Sequence, residues 1–438
     1  MKANVVQVRA GPVAGEVRMP GSKSVTHRAF LLAAQSDRPC TVQAPLLSAD
    51  TRATLSCLLA LGARFHLDPD HAETMQFLPA RLAPPRGVLD CANSGTTLRL
   101  LSGTVARFGQ PVTLTGDDSL RARPNEALLA ALRQLGARCD SAEGRAPLTI
   151  QGPLRSGAVR LPARTSSQFA SSLLLTTPFL TGPSSVVLEA PVASSAYLDV
   201  TLDVAQRAGL RIDEEKVPGR SFRIPGGQGV HPDRLVVDGD WSTAAFPLAA
   251  AAITGGRVTA RGLDPASRQG DKAILGLLAS FGARVQSTPD GATVEGVGLQ
   301  SPGTIDVAGT PDLFPVLCIV AATSRGTTTF TGGQSLRRKE TDRIAAMAAG
   351  LSHMGVTVQE RPDGLVVHGG KLQGATVASH DDHRIHMAFA VAGLAASGIT
   401  TIDDPACAAV SYPGFHEDFE RLGASFSLLQ GNRAEVQA

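Results

Sequence analysis

Six times along 438 residues, a helix-like apolar segment runs into a glycine and then into a strand-like stretch. The stretches are "LLALGARFHL", "LRQLGARCDS", "AQRAGLRIDE", "LASFGARVQS", "LSHMGVTVQE" and "FERLGASFSL", with glycines at Gly62, Gly136, Gly209, Gly282, Gly355 and Gly423. A glycine just past a helix end supplies the left-handed cap that turns the chain into a strand. A second series keeps step with the first. Apolar helices open with small or charged residues at Ser22, Ser94, Ser166, Ser242, Asp312 and Asp382. Two series in register define a repeated unit of about 70 residues containing two helices and several short strands.

A chain of this length exceeds one ordinary core, so six units imply two domains of three, with a break near 236–242. Helices that are apolar nearly all round are buried. Each domain should then hold three buried helices wrapped by strands and outer helices. A buried helix directs its unsatisfied N–H groups and positive dipole end at whatever faces its start. Converging starts therefore suit anions. Basic residues cluster there: Lys23 and Arg28, Arg99, and Arg384, with Arg123, Lys339 and Arg343 on the connections. "PGSKSVTHRA" comes close to a nucleotide P-loop, but Ser22 separates glycine from lysine and the leading glycine is missing, so the nucleotide reading fails.

Composition narrows the partners. With 41 basic and 39 acidic residues the net charge is +2, which gives no reason to expect nucleic acid or a membrane. The opening "MKANVVQVRAGPVAGEVR" lacks the apolar core of a signal peptide, and the longest apolar runs are too short to span a bilayer. A cytoplasmic location is expected. The six cysteines show no CxxC spacing and read as core residues.

In order along the chain, "PGSKSVTHRA", "NSGTTLR", "RARP", "SSQFASSLL", "SSAYLD", "QGD", "RRKETDR" and "DDHR" resemble the successive signatures of the EPSP synthases, the 3-phosphoshikimate 1-carboxyvinyltransferases among the enolpyruvyl transferases. The resemblance implies an α/β fold of two inverse α/β barrel-like domains, each of three βαβαββ units. It also implies a discontinuous arrangement: residues 21–239 in one domain, 1–20 with 240–438 in the other, and an active site in the cleft between them. It implies transfer of the enolpyruvyl group of phosphoenolpyruvate to the 5-hydroxyl of shikimate 3-phosphate, without cofactor or metal, by a monomer.

Carried over position by position, the resemblance assigns Lys23, Ser24, Arg28, Ser166, Ser167, Gln168, Ser194, Tyr197, Asp312, Ser335 and Lys339 to shikimate 3-phosphate. It assigns Lys23, Asn93, Gly95, Arg123, Gln168, Arg343, His383 and Arg384 to phosphoenolpyruvate. Arginine forks suit carboxylate and phosphate. Asp312 and Glu340 match the family's two catalytic carboxylates, with Asp312 as base, Glu340 as proton donor and Lys23 neutralising the departing phosphate. Read without the resemblance, Asp312 is a helix N-cap and Glu340 an ordinary first-turn charge. His380, His383 and His386 have the spacing of a one-face metal site, but zinc sites usually draw on more than one element, and His383 beside Arg384 reads better as part of the substrate pocket.

One departure stands out. In "CAAVSYPGF", Val410 occupies the position of a phosphoenolpyruvate-binding lysine, a contact of about 1.5–3 kcal/mol. Arg337, Arg338 and His416 are the candidates to compensate, and Ser335 replaces a frequent Asn. Glyphosate, which occupies the phosphoenolpyruvate site in this family, should still fit beside Gly95, since insensitive members carry alanine there. Two alternatives are a UDP-N-acetylglucosamine enolpyruvyl transferase, whose Lys-Asn pair and loop cysteine are missing here, and a non-catalytic anion-binding relative.

Overall fold

A computed structural model describes residues 2–68, 73–162, 166–190, 192, 194–215 and 219–432. The chain divides into two compact units, 21–238 and 1–20 with 239–438. All six glycines of the repeat have positive φ, between 80° and 99°, in the region that strains any other residue. The repeat is therefore a structural one.

Each unit contains three separate four-stranded sheets rather than one closed barrel among the described residues. The middle repeat of the 21–238 unit shows the pattern. Leu89–Asp90 pairs in parallel with Val112–Thr115, which pairs antiparallel with Arg145–Gln151, itself paired with Arg138–Ala142. Between the parallel strands runs a buried helix, and before the hairpin an outer one, giving βαβαββ.

Strand exchange explains how the units close. Arg234–Val236, from the end of the 21–238 unit, leads the sheet of its first repeat. Ala14–Arg18 leads the sheet of the fourth repeat beside Arg257–Arg261. Lys2–Arg9 lies between Ile399–Asp403 and Ser425–Asn432, the place held elsewhere by the repeat's own hairpin strand. The first residues of the chain are thus hydrogen-bonded into sheets of the last half.

The buried helices are α1 (Lys23–Ala33), α2 (Gly95–Val105), α3 (Ser167–Leu174), α4 (Trp241–Thr254), α5 (Phe314–Thr323) and α6 (His383–Gly393). In the larger-numbered unit α4, α5 and α6 pack against one another, and every residue of α6 is buried. Phe314 of α5 meets Phe330 edge to face at 5.5 Å, and burying one such ring contributes about 2–3 kcal/mol. In the other unit α2 and α3 approach closely at Gly103, whose amide donates to Ser172 Oγ at 3.1 Å. A Cβ on Gly103 would lie 2.9 Å from the Ser172 carbonyl oxygen, so only glycine permits this spacing.

Two expected helix starts shift. The fourth begins at Trp241, capped by Asp240 rather than opened by Ser242: Asp240 Oδ1 accepts from Thr243 N at 3.0 Å. At the fifth, Asp312 lies in the short 3₁₀ turn Pro311–Leu313 ahead of α5, and the position capping α5 falls on Leu313. All six cysteines are free, and all but Cys139 are buried.

Candidate active site

In the 21–238 unit the starts of α1, α2 and α3 are joined by polar contacts. Ser22 makes no side-chain cap bond at α1, which leaves the first-turn N–H groups uncapped by it. Lys23 Nζ pairs with Asp50 Oδ2 at 3.0 Å. Thr97 Oγ1 lies 3.3 Å from the Asp50 carbonyl and 2.7 Å from Ser94 Oγ, the cap before Gly95. Arg28, 1% exposed, donates from Nε to Thr201 Oγ1 (2.8 Å), from Nη1 to the Ser24 carbonyl (2.8 Å), and from Nη2 to Ser171 Oγ (3.2 Å) and the Tyr197 carbonyl (3.4 Å). All four acceptors are neutral. Burial accordingly pulls the Arg28 pKa down to about 10.

Ser166 Oγ caps α3 by accepting from Gln168 N, with Ser167 buried beside it. The Gln168 amide is clamped on both sides: its Oε1 accepts from Arg99 Nη1 at 2.8 Å, and its Nε2 donates to Thr96 Oγ1 at 2.9 Å. Arg99 in turn donates to Asn125 Oδ1 and lies over the Phe169 ring at 5.3 Å. Arg123 Nη2 donates to Asn93 Oδ1 at 2.6 Å. A Cβ on Gly95 would stand 3.2 Å from Arg123 Nη1 and 3.5 Å from Arg99 Nη1, so the missing methyl keeps both guanidinium tips clear. Ser194 is held at φ 52°, a strained conformation of the kind that gathers at ligand sites. Its carbonyl accepts from Tyr197 N at 3.1 Å.

The other unit gathers a different constellation around Arg343, also 1% exposed. Its Nη1 bonds Asp312 Oδ1 at 2.9 Å, its Nη2 bonds Glu340 Oε2 at 2.8 Å, and its Nε bonds Asp382 Oδ2 at 2.7 Å. Burial alone would favour a neutral guanidine, but the three carboxylates more than offset it and hold the pKa above the ordinary arginine value. Asp312 also meets Lys339 Nζ at 3.2 Å and Arg384 Nη2 at 3.1 Å. Asp382 caps α6, accepting from Arg384 N at 2.8 Å. Asp271, 3% exposed, accepts from the Ser242 hydroxyl. Burial and then the charge of Asp312 push its carboxyl up to about 6, against the opposing effect of Arg384.

The sequence-derived residues thus fall into two connected sets. Lys23, Ser24, Arg28, Asn93, Gly95, Arg123, Ser166, Ser167, Gln168, Ser194 and Tyr197 belong to the 21–238 unit, and Asp312, Lys339, Glu340, Arg343 and Arg384 form one ion network in the other. His383 is buried at the start of α6, and Ser335 lies in the 3₁₀ turn Gln334–Arg338 just before Lys339. The histidine triplet does not share a face. His380 precedes α6 with φ 55°, while His386 Nδ1 lies 3.0 Å from the Asp403 carbonyl and its Nε2 lies 3.3 Å from His416 Nε2. Among the described residues no group of three or more potential ligands could hold a metal ion.

Of the candidates to replace a lysine at Val410, two are otherwise engaged. Arg337 pairs with Asp342 and Glu360 at 2.8 and 2.9 Å. Burial lowers the pKa of His416, which leaves it uncharged near neutrality. Arg338 is exposed and has no ion pair among the described residues. Asp50 and Asp271 carried no role in the sequence reading. Asp50 meets Lys23 across 27 positions from an outer helix, a pairing with no local signal. Asp271 was legible only as the last letter of "QGD".

Six buried helices, cations at three starts and a carboxylate–arginine network at others define a chain built to handle small polyanions. Comparison with known proteins gives the class its family. The profile of EPSP synthase (3-phosphoshikimate 1-carboxyvinyltransferase) matches residues 8–419, and the chain belongs to that family. The 3-phosphoshikimate 1-carboxyvinyltransferase of Methanocella arvoryzae is 44% identical, covering 97% of this chain and all of that protein. The protein of the same name from Methanothrix thermoacetophila is 45% identical over 96% of this chain and 99% of its own. Among solved structures, EPSP synthase from Acinetobacter baumannii superposes with a TM-score of 0.80 at 30% identity, covering 98% of this chain and all of that one.

Proposed function

We infer that this chain transfers the enolpyruvyl group of phosphoenolpyruvate to the 5-hydroxyl of shikimate 3-phosphate and releases phosphate. The observation that carries the reading is the sharing of one buried guanidinium, that of Arg343, by the carboxylates of Asp312 and Glu340. The transfer needs a base for the hydroxyl proton and an acid for the vinyl carbon. Addition of the 5-oxygen and a proton across the double bond gives a tetrahedral adduct, which loses phosphate and a methyl proton to restore the enol. Asp312, paired with Arg343, Arg384 and Lys339, takes the hydroxyl proton. Glu340, with 22% of its side chain exposed, delivers and recovers the carbon-bound proton.

The residues of the 21–238 unit serve binding in this reading. Arg28, Ser24, Ser166, Ser167, Gln168, Ser194 and Tyr197 hold shikimate 3-phosphate, joined by Ser335, Lys339 and Asp312 of the other unit. Asn93, Gly95, Arg123 and Gln168, with Arg343, His383 and Arg384, hold phosphoenolpyruvate. Lys23 reaches both and neutralises the leaving oxygen. A buried cation with only neutral acceptors, like Arg28, stores a desolvation cost that a bound anion repays. Glyphosate competes for the phosphoenolpyruvate site, because Gly95 leaves the guanidinium tips of Arg123 and Arg99 clear. The enzyme works as a cytoplasmic monomer.

Phosphate release with the two substrates tests the assignment. Turnover with shikimate 3-phosphate and none with UDP-N-acetylglucosamine is the expected result. Release with the sugar nucleotide instead would assign the sister reaction, and binding without release would mark a non-catalytic relative.

A further inference from the structure

The starts of α1, α2 and α3 carry the proposed binding residues; their opposite ends, still within the 21–238 unit, frame a cavity of about 440 Å³. That volume falls in the range of small-molecule sites. We propose that this cavity is a second ligand site, selective for a monoanion with a flat apolar body, such as an aromatic carboxylate.

Its lining contains two arginines, Arg81 and Arg107, and no acidic residue. Neither arginine has an ion pair among the described residues. Arg107 is held rigidly. Its guanidinium carbon lies 4.6 Å from the centroid of the Phe179 ring, and its Nη1 donates to Gln35 Oε1 at 2.5 Å. Gln35 is itself anchored, donating to the Leu31 carbonyl at 2.9 Å. Among the described residues this leaves the Nε–Nη2 edge of Arg107 without an acceptor, and that edge is the fork that takes a carboxylate side-on. Burial pulls the Arg107 pKa down to about 10, the mark of a cation lacking a counter-charge. Thr104, another lining residue, is 2% exposed, and its hydroxyl has no partner among the described residues. Phe108, Leu154 and Leu180 supply apolar wall.

The plainer account is that Arg107, just past α2, offsets the negative end of the helix dipole. That end carries about half a charge. Two arginines exceed it, and the dipole does not explain the fixed, unfilled fork.

Calorimetric titration of the full chain with benzoate, in parallel with neutral benzamide, tests the proposal. Benzoate should bind with a Kd below about 1 mM, and benzamide at least tenfold more weakly. Arg107→Gln should weaken benzoate about tenfold or more, Arg81→Gln about threefold, and Arg28→Gln, at the other end of the helices, not at all. Arg81 is exposed, so its variant keeps the test valid if Arg107→Gln fails to fold. Equal affinity for benzamide, loss of benzoate binding only in Arg28→Gln, or no benzoate binding at about 10 mM would each overturn it.

Discussion

Arg28 and Arg343 are both 1% exposed guanidinium groups beside the start of a helix, yet their surroundings are opposites. Arg28 meets two hydroxyls and two backbone carbonyls. Arg343 meets three carboxylates. The first is a charge whose desolvation the fold leaves unbalanced, and the second is the centre of a balanced network. An anion is the natural complement of the first. The second has no need of an anion to be stable, and instead fixes the geometry of the acids around it. On this account the buried Arg28 serves binding alone, while the carboxylates around Arg343 carry the proton transfers.

The largest effect expected is on chemistry. Asp312→Asn preserves size and a hydrogen bond to Arg343 but removes the base, and turnover should fall about a thousandfold. Steady-state phosphate release measures it; a loss under tenfold would remove Asp312 as the base.

Stability separates the two arginines next. Arg343→Met strands the fully buried Asp382 carboxylate together with Asp312 and Glu340, and should cost about 3–5 kcal/mol by denaturant unfolding. Arg28→Gln removes a buried charge without orphaning one, so its unfolding free energy should stay within about 1 kcal/mol of the parent. Equal losses would erase the distinction.

Asp271 gives a pH-dependent test. Its folded pKa of about 6 lies above the ordinary 3.8, so with respect to this group stability is greatest below pH 3.8 and falls as pH rises through 6. Asp271→Asn should therefore gain up to about 3 kcal/mol at neutral and higher pH, with the gain vanishing toward pH 4. A pH-independent effect would place the origin of the change in packing.

The smallest effect concerns Val410. It lies half-buried in the 3₁₀ turn Pro405–Val410, and Arg337 and His416 are excluded as substitutes by their own partners and ionisation. Val410→Lys should lower the KM for phosphoenolpyruvate about tenfold, or 1.4 kcal/mol, with little change in kcat. An unchanged KM would point to Arg338 as the cation already in place, and Arg338→Gln would then raise it.

How much of this was legible in the sequence differs by the range of the interaction. The repeat was, because a left-handed glycine after a helix is a local requirement, met six times. The start of the fifth buried helix was placed at Asp312, two residues early, because a 3₁₀ turn and a first helical turn have the same local signature. Helix-start cations were visible as residue types, but their partners were not. Asp50, Thr201 and Asp382 lie 27, 173 and 39 positions from Lys23, Arg28 and Arg343, respectively, and no periodicity encodes such pairings. Nor could the sequence place strand Lys2–Arg9 in the sheet of the last repeat, since its alternation fits any sheet with a buried face.

Calorimetric titration of shikimate 3-phosphate into Arg28→Gln and Asp312→Asn, side by side with the parent, tests the division of labour most directly. The account predicts about a hundredfold loss of affinity in Arg28→Gln, near 2.7 kcal/mol, and a change of no more than about threefold in Asp312→Asn. Parental affinity in Arg28→Gln, or a collapse of binding in Asp312→Asn, would contradict it.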